Sequence, residues 1–271
     1  MSNNELVPVS TSGVNLPPPP PPPAPDVPIY GSITPGPAVK IVLLVPTNIN
    51  VDIRWAISFQ QLLSQLPPGS SYMMDYRYGL GETREALVTQ ALATIPDLTH
   101  ILFVDSDVIV TAPNPIATLL SNNKPIVTGV YFNSLMTGAA AWKSIPNPDQ
   151  NTKEQMPVIE APIPVKDQTV AVHECDKIGF GFVLIQKQVF DQLIEKKAPR
   201  PWFYYTVDGQ NRKMQSEDFY FLDTCREYLG IKPFVDLRVT CGHIKSVMIM
   251  HDGSIPVPPH QGQQPTGQGQ K

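Results

Sequence analysis

The sequence predicts an α/β fold with a mostly parallel central sheet and helices on both faces of that sheet. Short apolar runs alternate along the chain with segments of helical periodicity, and turn signals separate them. The runs are apolar throughout, as in strands that are covered on both faces. The folded domain is expected over residues 38–253, in two halves, 38–133 and 134–253.

The first half shows a regular alternation of strand and helix. The apolar run 39–45 ends at Pro46, and the helical pattern that follows is stopped by a Pro-Pro-Gly turn. Thr83 is the predicted N-cap of a second helix. The predicted strands are 39–45, 71–78, 100–104 and 125–132, and the predicted helices are 51–66, 83–95 and 114–120.

The second half is less regular. Residues 134–172 carry scattered prolines and few periodic stretches, which predicts long loops or short strands. A strand with two glycines is predicted over 177–186, and a last strand over 233–239. Helices are predicted over 188–197 and 216–229, the second with Ser216 as N-cap and Gly230 as its stop.

Proline marks both ends of the chain. Of 271 residues 31 are proline, and seven of them run from Pro17 to Pro23. Because proline lacks an N–H and fixes φ, residues 1–37 are predicted to be a disordered, extended arm, with docking to a partner that has an aromatic groove as an alternative. Residues 254–271 are predicted to be a disordered polar tail.

The composition excludes several classes of protein. A formal net charge of −4 argues against a protein that coats nucleic acid, because neutralising phosphates needs clustered lysine and arginine. No apolar run reaches about 18 residues, so no membrane-spanning helix is predicted, and the first residues do not resemble a secretory leader. Three cysteines without a Cys-x-x-Cys motif predict a reduced, cytoplasmic setting.

Asp105 and Asp107 follow the apolar run 100–104 directly. Two carboxylates at the tip of a buried strand repel each other unless a cation or hydrogen-bond donors compensate them. Residues i and i+2 of an extended segment point the same way, so both side chains could face one Mg²⁺ or Mn²⁺ ion. The alternative is a pair of solvated acids at a strand end.

Four further sites carry candidate chemistry. Glu217 and Asp218 open a helix, where either could act as a general base or could simply favour the helix dipole. His243 follows the last strand and could bind a metal ion or have a structural role. Arg84 could face a phosphate, or pair with a neighbouring glutamate at the surface. The two strand glycines, Gly179 and Gly181, indicate either a close approach to a ligand or tight packing.

Taken in order, these segments resemble the GT-A-fold glycosyltransferases, in particular the inverting family-two type. The resemblance covers most of residues 39–245. The matching pieces are IVLLVPT (41–47), GETREAL (81–87), HILFVDSDV (100–108), PIVTGVYF (125–132), IGFGFVLI (178–185), SEDFYF (216–221) and RVTCGHI (238–244).

The resemblance implies a nucleotide-sugar donor, such as a UDP- or GDP-sugar, bound by the half 38–133, and an acceptor bound by the half 134–253. It implies a Mn²⁺ or Mg²⁺ ion held by Asp105, Asp107 and His243, and Asp218, or else Glu217, as the base. Trp202 would stack on the acceptor. The implied donor-binding residues are Pro46, Thr47, Arg84, Asp105, Ser106, Asp107, Gly179 and Gly181.

The sequence departs from that family in two ways. The acid that the family carries after its second strand has no clear counterpart, since Asp75 lies inside the predicted strand 71–78. The acceptor-side signature and the membrane helices of processive synthases are missing. These departures favour a soluble enzyme that adds a single sugar to a glycan, lipid or protein acceptor.

Two other functions compete with this interpretation. Phosphatases of the haloacid-dehalogenase type also place an Asp-x-Asp after an apolar strand, with the first aspartate as nucleophile. In that family, however, the motif opens the domain and continues Gly-Thr, whereas here Val108 and Ile109 follow. The other alternative is a non-enzymatic scaffold that binds nucleotide sugars or glycans and recruits a partner through its proline-rich arm.

Overall fold

The computed structural model describes residues 38–47, 50–76, 79–131, 139–146, 158–162, 170–207, 209 and 213–244. The predicted arm (1–37) and tail (254–271) lie outside these residues. The helices in the described part are α1 (Ile53–Leu63), α2 (Leu80–Thr94), α3 (Pro115–Ser121), α4 (Lys187–Glu195) and α5 (Glu217–Leu229). The strands are β1 (Ile41–Pro46), β2 (Ser71–Asp75), β3 (His100–Val104), β4 (Val108–Val110), β5 (Ile126–Val130), β6 (Ala141–Pro146), β7 (Val158–Pro162), β8 (Val172–Glu174), β9 (Lys177–Ile178), β10 (Phe182–Gln186), β11 (Thr206–Val207), β12 (Lys213–Gln215) and β13 (Phe234–His243).

The central sheet has the strand order β2-β1-β3-β10-β5-β13-β4, with β8 also paired to β13. Strand β1 runs parallel to β2 and β3, and β5 runs parallel to β13. The other pairings, of β10 with β3 and β5 and of β13 with β4 and β8, are antiparallel. There are also two small sheets. One consists of β7, β6 and β9, and the other of β11 and β12.

The prediction of a mostly parallel sheet is therefore wrong, because the sheet is mixed. The difference comes from β10, which lies between β3 and β5 and is antiparallel to both. An apolar run is the same pattern in either direction, so the sequence does not encode which way such a strand runs. Its position also means that the two predicted halves, 38–133 and 134–253, contribute to one sheet.

Helices cover both faces of the central sheet, as the sequence predicts. Alternate residues of β1 point to opposite faces, so Val42 and Leu44 join one apolar cluster while Leu43 and Val45 join the other. Helices α2, α4 and α5 contribute to the first cluster, and α1 and α3 to the second. Strands β1, β3 and β10 are thus buried on both faces of the sheet, which explains their continuous apolar sequence.

Several predicted boundaries move. Helix α2 begins at Leu80, three residues before the predicted N-cap Thr83, and Gly79 occupies the cap position without a side-chain hydrogen bond. Helix α5 follows Ser216 and ends at Gly230, whose φ of 67° is the left-handed conformation that glycine adopts without strain. The predicted strand 177–186 is two strands, β9 and β10, separated by the segment from Gly179 to Gly181.

Two further findings concern the cysteines and the lengths of the helices. All three cysteines are free, and Cys175 and Cys225 are buried. Burial raises the pKa of the Cys175 thiol to about 12, so this thiol stays protonated at neutral pH. No helix within the described part of the chain is long and apolar enough to cross a membrane.

Candidate active site

A cleft of about 200 Å³ opens at the carboxyl ends of β1 and β3. These strands are parallel, so the segments that leave them meet at the same edge of the sheet. The start of α2 forms a third wall. The cleft, called here the Asp105 cleft, is lined by Pro46, Thr47, Leu80, Thr83, Asp105, Ser106 and Asp107. Five of the residues proposed from the sequence for donor binding therefore share one concave surface.

Backbone hydrogen bonds hold Asp105 in place at the end of β3. Its N–H donates to the carbonyl oxygen of Gly181 at 3.0 Å. Its carbonyl oxygen accepts from Trp55 Nε1 at 2.9 Å and from the Val108 N–H at 3.1 Å, which closes the turn into β4. Burial raises the pKa of the Asp105 carboxyl, and the Arg84 guanidinium opposes this shift. The carboxylate is thus presented to the cleft from a rigid backbone.

Asp107 and His243 meet although 136 residues separate them in sequence. Strand β13 pairs antiparallel with β4, and its register sets His243 opposite Val108. This pairing brings His243 Nε2 to 3.0 Å from Asp107 Oδ2. The Asp107 side chain is 46% exposed and that of His243 is 15% exposed. A carboxylate and an imidazole therefore lie together at the mouth of the cleft.

The oxygen and nitrogen atoms available at the cleft are ligands that suit a hard divalent cation that also binds phosphate. Carboxylate and imidazole suit Mn²⁺, and a Mg²⁺ ion in such sites uses one or two carboxylates and completes its shell with phosphate oxygens and water. Asp107 and His243 would supply protein ligands, with Asp105 beside them. In the described residues, no three His, Cys, Asp or Glu side chains are arranged as a complete metal site.

Arg84 is a buried cation that joins two acidic elements. Its side chain is only 2% exposed; Nη2 donates to Asp105 Oδ1 at 2.6 Å, and Nη1 donates to Glu217 Oε1. The rings of Phe103 and Phe180 each lie 5.7 Å from its Cζ atom. The alternative of a surface arginine paired with a neighbouring glutamate is therefore wrong, because Arg84 lies on the buried face of α2 together with Leu87, Val88 and Ala91.

Asp218 is a partly exposed carboxyl group at the start of α5. Its Oδ1 accepts from Ser216 Oγ and, at 2.9 Å, from the N–H of Phe219. No group in the described residues donates to its second oxygen. Burial and the negative charge of Glu217 raise the pKa of Asp218 to about 6. A carboxyl group with this pKa can accept a proton at neutral pH more readily than an ordinary aspartate.

Tyr131, which the sequence analysis missed, packs between the two strand glycines. Its hydroxyl accepts a hydrogen bond of 3.0 Å from the Gly181 N–H, and its ring contacts His243 edge-on at 5.6 Å between centroids. A Cβ atom at Gly179 would lie 3.3 Å from Tyr131 Cζ and would also collide with its hydroxyl. Tight packing against Tyr131 therefore explains these two glycines. This is the alternative to the predicted contact with a donor sugar.

We expect Gly181→Ala to destabilise the fold without touching any acidic residue. The new Cβ would lie 2.8 Å from Tyr131 Cζ and 2.9 Å from Val108 Cγ2, both inside the packed core. Overpacking of this kind costs about 1–3 kcal/mol in the free energy of unfolding, measured by urea titration. Gly209→Ala is the control, since no atom lies within 4 Å of its added Cβ. Equal stability of the two variants would contradict the packing explanation.

Two sequence predictions change with the structure. Trp202 is only 1% exposed and packs against Phe190, so its ring is part of the core and offers no surface for an acceptor. Strand β2 ends at Asp75 instead of continuing to residue 78, and this carboxylate is 6% exposed beside Pro46. An acid at the end of the second strand is the feature that the sequence seemed to lack.

Comparison with known proteins supports the fold. No protein-family model matches the chain, and no curated protein matches its sequence. A197 from STIV matches with a TM-score of 0.50 and 15% identity over 80% of this chain and 92% of its own. The chain shares the fold of A197.

Other solved structures with lower scores include glycosyltransferases and nucleotide-sugar pyrophosphorylases. GalNAc-T7, solved with UDP, GalNAc and Mn²⁺, has a TM-score of 0.49 and 12% identity over 84% of this chain and 47% of its own. A glycosyltransferase involved in glycosylation of the major capsid of PBCV-1 has a TM-score of 0.40 and 13% identity over 76% of this chain and 94% of its own. At these scores neither likeness adds to the argument.

Proposed function

We propose that this protein is a glycosyltransferase that uses Mn²⁺ or Mg²⁺ and moves a sugar from a nucleotide-sugar donor to an acceptor hydroxyl, with inversion at the anomeric carbon. The observation that carries the proposal is that the candidate metal-binding residues and the candidate base lie on separate elements of the fold. A cleft lined by Asp105 and Asp107, with His243 in contact with Asp107, suits a diphosphate with its cation. A carboxyl group of raised pKa, Asp218, stands on a separate element.

The charge of the site supports this proposal. Four carboxyl groups, those of Asp105, Asp107, Glu217 and Asp218, belong to the cluster, and one guanidinium, that of Arg84, is buried among them. Such an excess of negative charge repels a bare diphosphate and attracts a divalent cation. A bound cation would stabilise the negative charge of the departing diphosphate.

The remaining steps belong to the side chains of the protein. Pro46, Thr47 and Ser106 line the cleft in which the nucleotide would lie. Asp218 would take the proton from the acceptor hydroxyl as its oxygen attacks the anomeric carbon. Because Asp218 and the Asp105 cleft lie on different elements, base and leaving group can stand on opposite faces of the sugar, and such an attack inverts the anomer. The anomeric signal of the product in proton NMR tests this part.

Asp107→Ala should abolish metal-dependent donor binding. Thermal unfolding with UDP-, GDP- and dTDP-sugars, each with and without Mn²⁺, identifies the donor of the natural protein. At a donor concentration of 100 times Kd, binding stabilises the fold by about 2.7 kcal/mol. We expect the variant to lose the part of this gain that depends on Mn²⁺, because it removes a carboxylate that contacts His243.

The matched control is Asp191→Ala. Asp191 is 49% exposed on α4 and pairs with Lys187, so the substitution removes an equally exposed carboxylate away from the cleft. Donor binding that is unchanged in Asp107→Ala would contradict the proposed metal site. Donor binding without any hydrolysis or transfer would favour the alternative of a non-enzymatic scaffold that binds nucleotide sugars or glycans.

The phosphatase alternative is weakened by the bond from Arg84 to Asp105 Oδ1. The guanidinium pairs with one of the two carboxylate oxygens at 2.6 Å and stabilises the negative charge of the carboxylate, which lowers its strength as a nucleophile. Phosphate release from aryl phosphates that Asp105→Asn abolishes would restore this alternative.

A further inference from the structure

A second cleft, of about 520 Å³, lies on the other side of the first turns of α2. Its walls are that helix and the segment 201–207 that precedes β12. We call it the Tyr204 cleft and define it by Glu82, Ala86, Phe203, Tyr204, Tyr205 and Val207. Its volume is within the range of about 300–1,000 Å³ that small-molecule sites occupy.

Hydrogen bonds within the protein hold the two walls together. Glu85 Oε2 accepts from the N–H of Trp202 at 2.9 Å and from that of Phe203 at 3.4 Å. Glu85 Oε1 accepts from Arg200 Nε at 2.7 Å. These bonds fix the segment against α2, so the cleft exists before any ligand binds.

The exposed chemistry of the cleft is aromatic with a carboxylate. Tyr204 is 49% exposed, and an edge contact with Tyr220 at 5.9 Å between centroids orients its ring. Glu82 is exposed at the rim. An aromatic face beside a hydrogen-bond acceptor suits a pyranose ring, which carries C–H bonds on its face and hydroxyl donors around its edge.

The charge of the cleft selects among acceptors. Two carboxylates belong to its walls, but Glu85 is paired with Arg200, so Glu82 at the rim carries the exposed negative charge. No lysine or arginine is among the described residues that line the cleft. A phosphate group entering beside Glu82 would be repelled by that carboxylate. The cleft therefore favours an uncharged carbohydrate over a sugar phosphate or a phosphate-bearing lipid.

A hydrogen bond links one wall of the cleft to the start of α5, where the candidate base lies. Tyr205 lines it, and the Tyr205 side chain hydrogen-bonds to Glu217, the chain neighbour of Asp218. Leu80 and Thr83 of α2 line the Asp105 cleft, whereas Glu82 lines the Tyr204 cleft. The two clefts therefore lie on different sides of the same first turns of α2.

We propose that the Tyr204 cleft is the acceptor site and that it binds a neutral glycan, with Tyr204 stacking on a sugar ring. The assignment rests on the proposed glycosyltransferase function for the chemistry that follows binding. The sequence predicted that Trp202 stacks on the acceptor. We assign this role instead to Tyr204, which lies two residues later and on the surface. Glycan binding itself needs neither donor nor metal.

The test therefore measures binding of glycans alone, by saturation-transfer NMR on the full chain without nucleotide or Mn²⁺. The probes are methyl glycosides of glucose, galactose and mannose, the corresponding disaccharides, and glucose 1-phosphate as the anionic probe. We expect at least one neutral probe to bind more tightly than the phosphate, and Tyr204→Ala to weaken that binding by at least tenfold. Tyr204→Phe, which keeps the ring, should bind like the natural protein.

Tyr72→Ala is the matched control, since Tyr72 is 53% exposed and contacts Phe59 on the face of the sheet that α1 covers. The proposal is overturned if no neutral probe binds, if the phosphate binds more tightly, or if Tyr204→Ala binds as well as Tyr72→Ala. If the natural protein showed no metal-dependent donor binding, the proposed glycosyltransferase function would be overturned, and this glycan measurement would be unchanged. The two failures are therefore distinguishable.

Discussion

Replacing Asp218 by asparagine should reduce sugar transfer by about 10²–10⁴-fold, the usual contribution of a positioned general base. Asparagine keeps the shape of the side chain and can still accept from Ser216 and from the Phe219 N–H, so the start of α5 should not change. The Asp105 cleft is not altered, and donor affinity should be that of the natural protein. Transfer is measured as kcat with saturating donor, and donor binding by thermal unfolding.

The pH dependence gives an independent test of the same role. Because the pKa of Asp218 is raised to about 6, transfer by the natural protein should increase as the pH rises through about 6. The asparagine variant should lack this increase. A variant that keeps full activity, or that keeps the same pH profile, would remove Asp218 as the base.

Stability should move in the opposite direction to activity. A carboxyl group whose pKa is higher in the folded state than its unfolded value of 3.8 contributes stability that is complete below that pH. This contribution is lost as the pH rises through about 6, when the group ionises beside Glu217. At pH 8, Asp218→Asn should therefore unfold at the same temperature as the natural protein or a higher one. A large fall would show that the lost activity reflects unfolding.

Replacing Arg84 by methionine should destabilise the fold by about 3–5 kcal/mol, the cost of leaving buried charges without a partner. Methionine fills much of the volume beside Phe103 and Phe180, so the loss reflects charge more than a cavity. Asp105 and Glu217 would then face each other without the guanidinium between them. Urea unfolding at pH 7 measures the effect.

Arg226→Met is the matched control on α5. Arg226 is 43% exposed and pairs with Asp223 at the surface, where an ion pair contributes about 0–1 kcal/mol. Arg84→Lys should lie between the two, because an ammonium group cannot form both branches of the guanidinium fork. If Arg84→Met and Arg226→Met were equally stable, the buried cluster would not depend on its cation.

Much of the fold could be predicted from local patterns. Strand β3 matched its prediction, and the five helices lay where periodicity and stop signals indicated, with ends that shifted by at most three residues. The predictions for Asp105 and Asp107 also came from a local pattern, because two acids directly after a buried apolar run are costly unless something compensates them. The direction of β10 could not be found this way, because it depends on which neighbours accept the strand.

The contacts inside the site were beyond the sequence for a related reason. Arg84 and Glu217 are 133 residues apart, so their pairing depends on how α2 and α5 pack in the folded chain. Tyr131 could not be predicted as part of the site, since an aromatic residue after a strand is ordinary. Its role becomes visible in the structure, where its ring fills the space that side chains at Gly179 and Gly181 would need. Trp202 was misjudged because a large aromatic residue fits a core and a binding surface equally well.

The guanidinium shared by Asp105 and Glu217 also has a consequence for how this protein can diverge. Neutralising either acid leaves the arginine paired with the other acid, whereas replacing the arginine leaves two carboxylates without a cation, so the arginine is the member of the set least free to change. In homologous chains this set should therefore lose one of its acids more readily than its arginine. Donor specificity and acceptor specificity would then evolve around this set, on the walls of the two clefts, and not through it.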